Sequence, residues 1–550
     1  MKKVNLKRIA AGLCSVIMMI SAASCGSTDS SKADKKSSSK AAIAANTNGE
    51  PTATKAPARD MSQEKGLVQE ILAETEDTDD GALYMTNDTA MAAGDYAPKG
   101  GTTAASADAE NTEEYAHVEE NGFIDTADQP ISTFSTDIDT ASYTNARRMI
   151  NNGYMVYADA VRTEEFINYF KYDYQMPNGE AVSINTELSD CPWNPEAKLM
   201  LVGVQAMEAP VQDIDSNIVF LIDVSGSMED ENKLPLVREA FAMLADNLGE
   251  NDRVSIVTYA GEDRIALEGA KGSDKDTIVS TLNSLTAGGS TAGAAGINSA
   301  YALAEKYFIK GGNNRVILAT DGDLNVGASS AEELTALIEE KRDSGIALSV
   351  LGFGEGNFKD ARLEALADNG NGNYAYIDTI DEAKRVLVTE MNGTMFTVAK
   401  DTKVQIEFDD SKVRSYRLVG YENRLLNTED FEDDTKDAGD IGSGQQATAL
   451  YEIIPTGGLE GDLLNVSVRY KYPEESESRL VQSTVNASQY SAQRPANLEF
   501  AALVAEFAMY LRGSEYLNNI TLSEIIGQLK SAQHQEPELI EMATNYAQLS

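Results

Sequence analysis

Between residues 217 and 393 the chain alternates between two hydrophobic periods. Ile218-Val219-Phe220-Leu221-Ile222 is an unbroken apolar run, the pattern of a strand buried on both faces. From Pro235 the period lengthens, and Val237, Ala240, Phe241 and Leu244 fall on one helical face. The same reading predicts strands at 254–259, 264–267, 316–319, 347–351 and 374–377. Helices are predicted at 275–285, 294–308, 331–342, 359–367 and 381–391. Strands alternating with helices imply an α/β unit, a doubly wound and mainly parallel sheet with helices on both faces. Ligands of such sheets sit outside the carboxyl ends of the strands.

The flanks carry shorter alternating runs. Before the sheet, helices are predicted near 145–152 and 163–169 and strands at 181–188 and 198–204. After it, strands are predicted at 403–408, 413–419, 450–454, 464–472 and 480–485, then helices over 497–512 and about 521–547. Strands on both sides suggest that the wound sheet is inserted into a β-sandwich built from both flanks, followed by a C-terminal helical segment. The expected organisation is a signal peptide at 1–25, a tether at 26–130, an N-terminal flanking domain at 131–213, the wound sheet at 214–393, a β-rich domain at 394–490 and helices at 491–550. Tyr169, Phe170, Tyr172, Tyr174 and Trp193 are expected to pack in the core or between domains.

The first residues have a different character. Lys2, Lys3, Lys7 and Arg8 precede an apolar run from Ile9 to Ala23, too short to span a bilayer comfortably. Small residues Ala22, Ala23 and Ser24 lead to Cys25, an ending that resembles a bacterial lipobox. That resemblance implies a secretory signal, a lipid on Cys25 and an extracytoplasmic chain anchored to the membrane. The Ser-, Ala-, Thr- and Lys-rich stretch that follows buries too little apolar surface to fold alone, so it reads as a tether.

Charge and composition narrow the function. The 550 residues include 88 acidic and 45 basic side chains, a formal charge of −43 that repels phosphate backbones and excludes nucleic acid as a partner. Cys14 and Cys25 lie in the signal segment, which leaves Cys191 without an internal disulfide partner and no cysteine cluster for zinc. Only His117 and His534 are present, so neither a histidine metal site nor a Ser-His-Asp triad is expected. The expectation is a binding protein rather than an enzyme.

Candidate chemistry gathers in the loops after two strands. The first loop reads Asp223-Val224-Ser225-Gly226-Ser227-Met228 and the second Thr320-Asp321-Gly322-Asp323, with Gly288-Gly289-Ser290-Thr291 between them. Hard divalent ions take oxygen ligands, and magnesium takes six near an octahedron. The i, i+2, i+4 spacing lets Asp223, Ser225 and Ser227 face one side of an extended loop, while Thr291 adds a hydroxyl and Asp321 a second carboxylate. Two carboxylates balance a doubly charged ion, and hydroxyl ligands leave it electrophilic toward an outside carboxylate. The run from Asp321 to Glu332 also begins like an EF-hand loop, but Val326 stands where its sharp turn needs glycine, and a strand leads into it. Asp137 and Asp139 are read as turn and capping residues, and Asp433, Asp434, Asp437 and Asp440 as a solvated acidic loop.

These three segments resemble the metal-ion-dependent adhesion site of von Willebrand factor type A domains. The resemblance implies direct coordination by Ser225 and Ser227, by Thr291 directly or through water, and by Asp223 and Asp321 mainly through water. It implies Mg2+ as the ion, with Mn2+ or Ca2+ as alternatives, and a protein partner contributing an Asp or Glu. The flanking stretches TFSTDIDTASYTNARRMI, VRTEEFINYFKYDY, CPWNPEAKL, RLVGYENRLL and FEDDTKDAGDIGSG resemble a bacterial family of lipoproteins that carry this domain. Adhesion is the expected role, and a regulatory or scaffolding subunit of an envelope complex is the alternative.

Overall fold

A computed structural model describes residues 112–209, 214–290, 293–322 and 331–549. At its centre, six strands lie in the spatial order Tyr374–Ile377, Ala347–Phe353, Asn313–Thr320, Ser216–Asp223, Arg253–Tyr259, Asp263–Lys271. All neighbours are parallel except the last pair, which is antiparallel. The two middle strands, Ser216–Asp223 and Asn313–Thr320, are buried on both faces, which is why their sequences run apolar without alternation. Phe220 and Ile222 point into a core beneath helix Leu234–Asp246, and Val219 and Leu221 into one beneath Gly293–Lys306. This is the doubly wound α/β sheet expected from the sequence.

The flanks form a sandwich of two antiparallel sheets. One orders Ile124–Asp125, Val413–Val419, Gln446–Pro455, Lys198–Ala206 and Val182–Asp190; the other orders Leu425–Leu426, Ile131–Ser135, Thr397–Phe408, Asp462–Lys471 and Arg479–Asn486. Strand Lys198–Ala206, which precedes the wound sheet, pairs with Gln446–Pro455, which follows it, in register from Gln205 opposite Gln446 to Lys198 opposite Ile453. The wound sheet is therefore inserted in a sandwich that both flanks complete. Period two decides the faces of Lys198–Ala206: Met200, Val202 and Val204 enter the sandwich core, while Leu199 and Leu201 meet a helical layer on the opposite face. That layer comprises Ala141–Asn151, Thr163–Tyr169, Ala496–Arg512, Leu522–Ser531 and Pro537–Leu549. Phe170, Tyr172, Tyr174 and Trp193 are buried in it, with Tyr169 half-buried at its edge, as expected.

Four local features depart from the sequence reading. Strand Ile131–Ser135 was hidden because its buried Ser132, Thr133 and Ser135 are polar and sustained by hydrogen bonds, such as Ser132 Oγ with the Tyr451 hydroxyl at 2.9 Å. Residues 112–130, grouped by composition with the tether, are held against the fold. Glu113 pairs with Arg148 at 2.9 Å, and Ile124 pairs with Tyr416 in a sheet. The helix expected at 381–391 is Ile380–Lys384, followed by a π turn and a short helix at Met391–Met395. The final helical stretch divides at Ala532, which is extended, and restarts at Pro537. Among the described residues, no helix is long and apolar enough to cross a membrane.

Candidate metal centre

Strand Ser216–Asp223 delivers Asp223 to the carboxyl edge of the sheet, where its side chain is fully buried. The chain then turns through a short 3-10 segment, Gly226–Glu229, anchored by Met228, which is buried in the core under helix Leu234–Asp246. Oδ1 of Asp223 accepts the Ser225 amide at 2.8 Å, and the Ser225 and Ser227 hydroxyls lie 3.0 Å apart. Ser225 is buried and Ser227 exposed, so the oxygen cluster opens to solvent on the Ser227 side. The neighbouring loop is locked to this one by main-chain bonds, Gly226 N to Gly289 O at 3.1 Å and Gly288 N to Val224 O at 2.8 Å. Gly289 has φ +95°, a conformation that suits glycine.

The second carboxylate arrives on the adjacent strand. Asn313–Thr320 pairs in parallel with Ser216–Asp223, and Asp321 follows its last residue, fully buried. Gly322 has φ +105°, and a Cβ there would collide with the backbone at Asn357–Lys359, so the turn after Asp321 requires glycine. The Thr320 hydroxyl donates to Asp223 Oδ2 at 3.2 Å and accepts the Gly322 amide at 3.2 Å. Lys233 donates to Asp321 Oδ2 at 3.0 Å. Burial pushes the Asp223 carboxyl up to about 6, against the opposing pull of the Ser225 amide and hydroxyl.

The structure thus brings together Asp223, Ser225, Ser227 and Asp321 from the sequence-derived set. Thr291 and the lipidation candidate Cys25 lie outside the described residues, as do positions 323–330 of the EF-hand-like run. The donor chemistry fits a hard divalent cation: two carboxylates and two hydroxyls meet at a sheet edge. Asp321 Oδ1 supports the same fit, being buried with no hydrogen-bond partner among the described residues. Sequence reasoning missed Thr320 and Lys233. A signal for Lys233 existed, since a lysine immediately before a helix faces the positive end of the helix dipole and needs a carboxylate to hold it.

A second acidic group has a structural explanation. Asp137, Glu165 and Glu364, all buried, bring carboxylate oxygens within 4.8 Å of one another. Two guanidinium groups already supply the opposite charge there. Arg424 reaches Asp137 at 3.3 Å, Glu364 at 3.1 Å and Asp368 at 2.7 Å, while Arg162 pairs with Glu165 and Asp360. The network joins helix Asp360–Asn369 of the wound sheet to both flanks. Asp137 also forms the expected turn, accepting the Asp139 amide at 2.8 Å. Helix Ala141–Asn151 has no side-chain cap from Thr140; its Ser142 amide instead donates to Glu165 at 2.8 Å. Nor is the 433–440 segment simply solvated: Asp434 accepts the Ser478 amide at 3.3 Å, and Asp440 accepts that of Asp401 at 3.1 Å.

Comparison with known proteins agrees with this architecture. Residues 217–388 match the von Willebrand factor type A domain, and residues 109–201 match a family described as von Willebrand factor. Residues 393–461 and 455–549 match the C-terminal family of the uncharacterized protein YfbK. The chain is 39% identical over 479 residues to the uncharacterized protein YfbK of Escherichia coli (strain K12), covering 80% of this chain and 82% of that protein. It is 32% identical over 167 residues to the human inter-alpha-trypsin inhibitor heavy chain H4, covering 28% of this chain and 17% of that one. Among solved structures, a von Willebrand factor type A protein from Catenulispora acidiphila aligns with 14% identity and a TM-score of 0.41, over 68% of this chain and 91% of that one. The long match on both sides of the inserted sheet is decisive: this chain belongs to the YfbK family of bacterial von Willebrand factor type A domain proteins.

Proposed function

We propose that this chain is an extracytoplasmic lipoprotein that captures a protein partner through a divalent cation held at the edge of its wound sheet. Asp223, Ser225, Ser227 and Asp321 would hold the ion, with Thr291 as a further hydroxyl ligand, and Mg2+ is the preferred ion over Mn2+ or Ca2+. The observation that carries this reading is the convergence of two buried carboxylates with a buried and an exposed serine hydroxyl where parallel strands end. When bound, the cation supplies a Lewis-acidic position for an Asp or Glu of the partner. The chain's own residues do the rest. Thr320 and the Ser225 amide orient Asp223, Met228 pins the loop, and exposed Ser227 marks the side from which a partner approaches.

Lipidation at Cys25 would place the domain outside the cytoplasmic membrane, and the residues between anchor and fold would set its reach. The test compares the full mature chain with Asp223→Ala in Mg2+ and in chelator. Capture of an envelope partner by the parent in Mg2+ alone, and by the variant in neither condition, is expected. Equal capture in chelator contradicts the reading.

A further inference from the structure

Lys233 is an unusual residue to find in this place. It is the N-cap of helix Leu234–Asp246, where the helix dipole disfavours a cation, yet it is only 5% exposed. Its ammonium lies 3.0 Å from Asp321 Oδ2 and 3.9 Å from exposed Asp230. The aliphatic stem lies across Gly354, at φ +72°, where any Cβ would collide with Lys233 Cγ, Cδ and Cε. A glycine-lined seat therefore directs the ammonium at one of the two carboxylates of the candidate metal centre. The other oxygen of that carboxylate, Oδ1, is buried with no hydrogen-bond partner among the described residues.

We propose that Lys233 is a tethered cation that neutralises Asp321 in the metal-free protein and competes with the divalent ion for it. The inference rests on the metal-binding reading above and adds a regulator to that site. Asp223 and Asp321 together carry two negative charges, which a divalent ion balances alone. A retained ammonium beside that ion leaves the site with an excess positive charge, and like charges in a buried site repel. Ion entry therefore requires the ammonium to yield Asp321, and this exchange lowers the affinity of the site. It also keeps the empty site from burying two unbalanced carboxylates.

The test uses the mature chain, with Mn2+ and Mg2+ titrated by calorimetry into the parent, Lys233→Met, Lys233→Gln and Asp223→Ala. Methionine keeps the stem over Gly354, and glutamine keeps a hydrogen-bond donor without charge. Both Lys233 variants are expected to bind Mn2+ at least tenfold more tightly than the parent. Their metal-free melting temperatures should fall, and saturating Mn2+ should restore them. Unchanged or weaker binding would overturn the proposal and make Lys233 a positioning residue for Asp321. Failure of both variants to fold, with Mn2+ present, would overturn it too. Two outcomes separate it from the underlying reading. Binding by the Lys233 variants but not the parent upholds the competition while removing metal dependence from the parent. Absence of binding in every chain, with Asp223→Ala indistinguishable from the rest, defeats the metal site and the proposal together.

Discussion

The Thr320 hydroxyl donates to Asp223 Oδ2 across 3.2 Å, joining the last residues of two neighbouring parallel strands. The same hydroxyl accepts the Gly322 amide, so one side chain orients both carboxylate-bearing loops. Thr320→Val preserves shape and removes both bonds inside a buried site. Leaving the carboxylate oxygen and the amide unsatisfied is expected to cost about 1–3 kcal/mol. Urea denaturation in chelator measures that loss. A change within a few tenths of a kcal/mol of zero would show that Thr320 does not organise the edge.

The pH dependence follows from Asp223, whose carboxyl is raised from 3.8 to about 6 by burial. A raised carboxyl binds its proton more tightly in the folded chain than in the unfolded one. Its ionisation therefore lowers metal-free stability as pH rises between those two values, and the loss is complete above the higher one. A cation relieves that burden only where the carboxyl is ionised. The rise in melting temperature on adding Mg2+ is thus expected to be small near pH 5 and full above pH 7. Asp223→Asn should abolish the pH dependence of this increment. An increment that is flat with pH in the parent would contradict the assignment.

Arg417 and Glu452 lie opposite each other on the paired strands Val413–Val419 and Gln446–Pro455, 2.8 Å apart, with each side chain 1% exposed. Removing one partner strands a buried charge. Arg417→Met is expected to destabilise the fold by about 3–5 kcal/mol. The double variant Arg417→Met with Glu452→Gln should recover part of that loss, because no ion is then left unpaired. A double-mutant cycle in denaturant reads the coupling, and additive single effects would count against it.

Gly203 sits mid-strand under the Tyr174 ring, where a Cβ would overlap ring atoms. The Tyr174 hydroxyl is fixed to Thr448 at 2.9 Å, so the ring cannot readily move aside. Gly203→Ala should destabilise by about 1–3 kcal/mol through overpacking, despite alanine's better backbone entropy. Pairing it with Tyr174→Leu is expected to relieve the clash. A neutral Gly203→Ala in thermal melts would show that the layer is loosely packed.

Legibility in the sequence followed the range of the interactions. The wound sheet was readable because burial on both faces writes continuous apolar runs such as 218–222, and the insertion because alternating strands flank it. Asp223, Ser225 and Ser227 were readable because their relation is local, two residues apart along one loop. Lys233 reaches its carboxylate across the fold, to Asp321, and nothing in hydrophobic periodicity records that approach. Ile131–Ser135 escaped notice for a related reason: apart from Phe134, its buried positions are hydroxyls, and partners such as Tyr451 and Gln405 lie hundreds of residues away. The grip of Glu113 on Arg148 is equally distant from composition, which places 112–130 with the polar leader.

The most direct measurement is the anomalous scattering map of crystals grown with saturating Mn2+. The expected result is a peak within coordination distance of the Ser225 and Ser227 hydroxyls, near the roughly 2.0–2.1 Å typical of magnesium–oxygen contacts, with Asp223 and Asp321 turned toward it. Ordered side chains at all four positions around water alone, at that Mn2+ concentration, would contradict the account.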